Sequence, residues 1–134
     1  MLAADAEGLV KEMSSILPEV DKKALLNSKD LGQSLVDGIH EALKNGVDGW
    51  ADDDLEFVNK DWGFDFHEVK VPVFLYQGSE DMMVPFDHGK WLAKHLPREH
   101  LREHLIDGHG HISIFLDQVD SMVAELLEVV KQAT

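Results

Sequence analysis

The sequence predicts an α/β chain in which a helical segment over residues 1–61 is followed by a βαβα unit over residues 62–134 with two parallel strands. Three observations point to it. Apolar residues recur every four positions between Leu31 and Leu43, a helical stripe. The stretch VPVFLYQG is a short, nearly unbroken apolar run that ends in glycine, as a strand of a parallel sheet does. After it, helix-like and strand-like patterns alternate, and a strand, a helix and a strand in that order form a parallel βαβ unit.

Taken in chain order, Asp5 to Ile16 forms a first helical run, with Leu9, Met13 and Ile16 on one side. A break lies around Ser28 and Asp30. The segment DLGQSLVDGIHEALKNG then sets Leu31, Leu35, Ile39 and Leu43 on one face, with Asp30 to cap its start and Gly46 to end it. GVDGWADDD is acidic and turn-rich, with room for one short helical turn. DWGFDFHEVKVP carries no helical stripe and reads as a connector. VPVFLYQG follows as a strand buried on both faces, with Tyr76 inside it. SEDMMVP is a polar loop, and Pro85 is suited to a helix start. The helix FDHGKWLAKHL ends before Pro97, and HLREHLIDG gives the second strand. Phe115, Val119, Met122, Leu126 and Val130 mark a long amphipathic helix toward the C-terminus. Trp91 and Phe115 are expected in the core.

Composition narrows the function classes. The 134 residues match one ordinary domain, and 44% hydrophobic with 28% charged residues describes a globular chain. A formal net charge of −14 disfavours nucleic acid and anionic membrane surfaces as partners. With no cysteine there is no disulfide or thiol chemistry. No apolar run approaches the roughly 20 residues that span a bilayer. The first residues, MLAADAEGLVKEM, lack the basic and apolar blocks of a signal peptide, so the expected location is cytoplasmic by default.

The chemistry gathers in GSEDMMVP and GHGHIS. Both loops leave the carboxyl ends of the predicted strands, where functional groups collect in parallel sheets, and should therefore lie side by side. A histidine base needs one ring nitrogen free for a proton and the other held by an acceptor. Asp81 and a histidine of the second loop meet that need. Glu80 and Asp87 are rival acids, and Asp87 also suits the dipole at a helix start. His109 reads as a solvent-facing loop residue, and Gly110 as the turn that aims His111. A metal site is the competing chemistry, since His109 and His111, with His100 and His104 nearby, offer imidazole ligands, although no defined carboxylate motif accompanies them.

These residues resemble a known family. VPVFLYQGSEDMMVPFDHGKWLAKHLP followed by GHGHISIF is similar to the C-terminal part of an α/β-hydrolase. Pro72, Gly78, Asp81, Val84 and Pro85 match the acid-loop pattern, and Gly108, Gly110 and His111 match the histidine motif. The helices ending in DWGFDFHEVKVPV resemble, more loosely, the cap helices and return connector of some members. The resemblance implies Asp81 as the acid and His111 as the base of a Ser–Asp–His triad that hydrolyses an ester or related acyl bond, with no cofactor or metal. Its nucleophile would sit in G-x-S-x-G, which does not occur in these residues. The implied piece is thus the C-terminal portion of such an enzyme, within a longer gene product or as a truncated relative. It is expected to be inactive alone and to meet its small-molecule substrate only in the complete enzyme. The alternative is a non-catalytic interaction module built on the same fold. Because VPVFLYQG would have one strand neighbour, a homodimer is expected, formed through that strand edge or through exchanged cap helices.

Overall fold

The computed structural model describes residues 4–59 and 63–132 of the chain. The expected boundary between residues 61 and 62 lies outside the described residues. Helix α1, Ala6–Glu12, starts where the Asp5 carboxylate accepts the Gly8 amide at 2.8 Å. Helix α2, Glu19–Asn27, was not singled out by the sequence pattern and begins directly after Pro18. Only Ser28 separates it from α3, Lys29–Leu43. Asp30 therefore lies inside the first turn of α3 rather than at its cap, where its charge still suits the dipole. Gly46, at φ +107°, turns the chain out of the helix end. Helix α4, Asp48–Asn59, replaces the short helical turn expected near Trp50. Its sequence contains no proline, and Asp48 in its first turn favours helix, so the acidic run propagates instead of stopping. Leu9 and Val36 are buried together between α1 and α3, with Met13, Leu35 and Ile39 packed against them.

The second half follows the expected order. A 3₁₀ turn at Phe66–Glu68, capped by Asp65, leads into strand β1, Val73–Gly78. Helix α5, Phe86–His95, begins after Pro85, and β2, Leu101–Ile106, pairs parallel with β1. The register runs from Val73 opposite Leu101 to Gly78 opposite Ile106, so both strands end level. Helix α6, Ser113–Gln132, completes the chain.

Side chains alternate across the sheet. Gln77 and Leu105 face α5, where Gly89 leaves room for both, while Tyr76 and His104 face Glu125 of α6. The two helices therefore cover opposite faces. β1 is nevertheless mostly half-buried rather than buried along its length, because among the described residues it has one strand neighbour. Tyr76 is likewise half-buried. Trp91 and Phe115 are not core residues, being 47% and 52% exposed. Trp91 instead stacks on His95 at 3.9 Å and meets the Phe66 ring edge-on, on the outer side of α5. Leu126 and Val130 of the α6 stripe are exposed too, because α6 turns Glu125 and Val129 rather than that stripe toward the sheet. No helix among the described residues is long and apolar enough to cross a membrane.

Candidate functional site

Level strand ends bring the two polar loops together. Ser79 N–H donates to the Ile106 carbonyl at 2.9 Å, and Glu80 N–H to the His109 carbonyl at 2.8 Å. The Ser79 hydroxyl donates to Asp107 at 2.7 Å and accepts the Gly108 amide at 2.9 Å. The loops are so close that a Cβ on Gly78 would lie 2.1 Å from the His109 carbonyl oxygen. Glycine at the end of β1 is thus a requirement of close approach.

Within this junction Asp81 meets His111. The His111 Nδ1 lies 2.9 Å from Asp81 Oδ2. A carboxylate only accepts, so Nδ1 carries the proton and the neutral ring has Nε2 unprotonated. Among the described residues Nε2 has no hydrogen-bond partner, and the His111 side chain is 45% exposed whereas that of Asp81 is 4% exposed. A buried acceptor thus orients a ring whose other nitrogen is open.

Asp81 is itself held in place from its own neighbourhood. Its Oδ1 accepts the Met83 amide at 2.9 Å and the Val84 amide at 2.8 Å. Its Oδ2 also accepts from Gln77 Nε2 at 3.0 Å, and the same amide group donates to the Val84 carbonyl at 2.9 Å. Four donors surround the carboxylate, which compensates its burial.

The rival acids stand elsewhere. Glu80 is exposed, and Asp87 pairs with Lys90 at 3.0 Å on the surface of α5. His109 is half-buried rather than solvent-facing: its Nε2 is 3.2 Å from Asp117 and its Nδ1 is 3.1 Å from the Asp107 carbonyl. His104 stacks on Tyr76 at 4.2 Å and pairs with Glu125, away from the two loops. The histidines grouped in sequence therefore turn to different partners. Among the described residues no three or more acidic or histidine side chains converge as a metal site would require.

The turn expected at Gly110 lies at Gly108, whose φ is +75°. Gly110 is small for another reason. A Cβ there would lie 2.4 Å from both carboxylate oxygens of Asp21. Asp21, wholly buried on α2, accepts the His111 amide through Oδ2 and the Ser113 amide through Oδ1, each at 2.8 Å. The Ser113 hydroxyl accepts the Gly110 amide at 2.8 Å and closes the loop from the other side.

Sequence reasoning passed over two contributors, Gln77 and Asp21. Gln77 was visible as the one amide inside an apolar strand. Asp21 was visible as an acid in an apolar stripe, four residues from Leu17 and four from Leu25, which are 1% and 0% exposed. An acid at such a position is buried and must find donors. No family model, no curated protein and no solved structure matches the chain.

Proposed function

We propose that these residues supply the acid and base of an α/β-type hydrolase acting on an ester or related acyl bond. Asp81 is the acid, His111 the base, and the nucleophilic serine belongs to chain outside these 134 residues. The observation that carries the reading is the Asp81–His111 hydrogen bond with Nε2 left open. In this mechanism Nε2 takes the proton of the serine hydroxyl as it attacks the acyl carbon. The buried Asp81 carboxylate stabilises the imidazolium, and Nε2 then returns the proton to the leaving group.

The helical segment favours an apolar substrate group. A cleft of about 330 Å³ lies among Leu9, Met13, Ile16, Val36 and Ile39 and reaches the acid loop at Met83. Such a cleft suits an acyl or leaving group with little polarity.

The test is an activated-ester assay joined to the coding sequence upstream of Met1. The 134 residues alone are expected to show no turnover, because oxyanion donors and nucleophile are needed together. An upstream G-x-S-x-G in the same reading frame is the expected finding. Turnover by the 134 residues that His111→Ala abolishes would instead require a nucleophile among them.

A second reading, a non-catalytic interaction module, is favoured by the exposed apolar side chains of Trp50 and Leu55 on α4 and of Leu126 and Leu127 on α6. Absence of any serine nucleophile from the full gene product would select it. On either reading the edge of β1 that has no strand neighbour among the described residues favours a two-fold dimer of the 134-residue chain. In sedimentation at micromolar concentration the dimer is expected, and a 15.1 kDa species at all concentrations would exclude it.

A further inference from the structure

Asp21 is the most deeply buried charged side chain near the two loops, at 0% exposure. No salt bridge to it occurs among the described residues. Its charge is met by two backbone amides at the amino end of the 20-residue helix α6. Those amides are not equivalent. Ser113 is the first residue of α6, so the bond from its amide caps the helix. The His111 amide lies two residues before that start, outside the helix. A carboxylate serving α6 alone has no need of it.

His111 is consequently gripped at two atoms by two acids. Asp21 fixes its backbone nitrogen and Asp81 fixes its ring Nδ1. Those two points, with the side-chain torsions between them, set the direction in which Nε2 faces. The close approach is possible only because residue 110 has no Cβ.

We propose that Asp21 is a positioning residue for His111: the α2 carboxylate holds the histidine loop so that the ring meets Asp81 through Nδ1–H and presents Nε2. The proposal rests on reading His111 as the base. It makes the helical segment part of the base's support, since α2 carries the anchor.

Long-range ¹H–¹⁵N NMR of the uniformly ¹⁵N-labelled 134-residue protein tests it, because the ring-nitrogen shifts report which nitrogen is protonated. Spectra are taken where the ring is neutral and circular dichroism shows the chain folded. The wild type is expected in the Nδ1–H form. In Asp21→Asn one of the two acceptor oxygens is replaced by an N–H donor, and the Nδ1–H population is expected to fall several-fold. Gly110→Ala keeps the charge but displaces the carboxylate, and is expected to act in the same direction. It supplies the reading if Asp21→Asn does not fold. Leu25→Ala, a buried truncation in the same helix, serves as the control and is expected to lose stability while keeping the Nδ1–H form. A wild-type ring in the Nε2–H form would overturn the Asp81–His111 reading itself. A wild-type Nδ1–H ring that persists unchanged in Asp21→Asn, or in Gly110→Ala where that is the folded variant, would leave that reading standing and overturn the positioning role. Equal loss in Leu25→Ala would also overturn it.

Discussion

The acid loop after β1 and the middle of the helical segment each bury one carboxylate, and the two are held in opposite ways. Asp81 takes its backbone donors from Met83 and Val84, two and three residues away. Asp21 takes its donors from His111 and Ser113, 90 and 92 residues away. The first arrangement is a local turn that its own loop can form. The second exists only when α2 is docked against the start of α6. One acid shapes a loop, while the other staples two distant parts of the chain, and His111 is bonded to both.

The sharpest way to break that contrast is to remove each acid in turn. Asp21→Ala leaves the buried Ser113 amide and the part-buried His111 amide without acceptors, at about 1–3 kcal/mol for each unsatisfied group. The expected loss of unfolding free energy is about 2–6 kcal/mol, read from the urea midpoint at unchanged slope. A shift indistinguishable from zero would mean that water replaces the carboxylate and that the staple carries no stability.

Asp81→Ala is expected to cost less, about 1–2 kcal/mol, because the amides of Met83 and Val84 and the His111 ring are partly exposed to water, and the buried Gln77 amide keeps the Val84 carbonyl as a partner. A loss larger than that of Asp21→Ala in the same urea titration would reverse the assignment of local and long-range roles.

The same contrast explains what the sequence could reveal. The pairing of Asp81 with His111 is legible because two parallel strands of one βαβ unit carry the acid and histidine loops at the same end. The βαβ order followed from one apolar run and the alternation after it. Asp21 could not be assigned its partners, since a stripe reading Leu17, Asp21, Leu25 announces a buried acid without saying which amides satisfy it. The role of Gly110 is hidden from the sequence for the same reason. Its neighbour in space is Asp21, on a helix near the other end of the sequence, and the local sequence suggests only a turn. The length of helix α4 is hard to read because its run of aspartates resembles turn composition. Apolarity alone suggests Trp91 and Phe115 as core residues, whereas burial depends on what covers each face.

A third carboxylate, Glu125, gives the smallest expected effect. It accepts the Tyr76 hydroxyl at 2.7 Å on the α6 side of the sheet. Partial burial, and then the hydrogen bond and negative charge of Glu125, raise the Tyr76 pKa from 10.0 to about 12. The folded chain thus holds this proton more tightly than the unfolded one. The associated stability is fully present below pH 10.0 and is lost as pH rises through about 12. Tyr76 is the single tyrosine, so phenolate absorbance reads it directly. The midpoint is expected near 12 in the folded chain and near 10.0 in urea. Glu125→Gln should lower it only in part, because desolvation is the largest cause. A folded midpoint equal to that in urea would contradict the placement of Tyr76 against α6.

The central proposal, that His111 is a base oriented by Asp81, is tested most directly by steady-state ester hydrolysis with the full gene product. His111→Ala is expected to lower kcat on the order of 10⁶-fold, and Asp81→Ala on the order of 10⁴-fold, with the fold retained by circular dichroism. Turnover that survives His111→Ala, or a full-length product without a serine nucleophile, would contradict it.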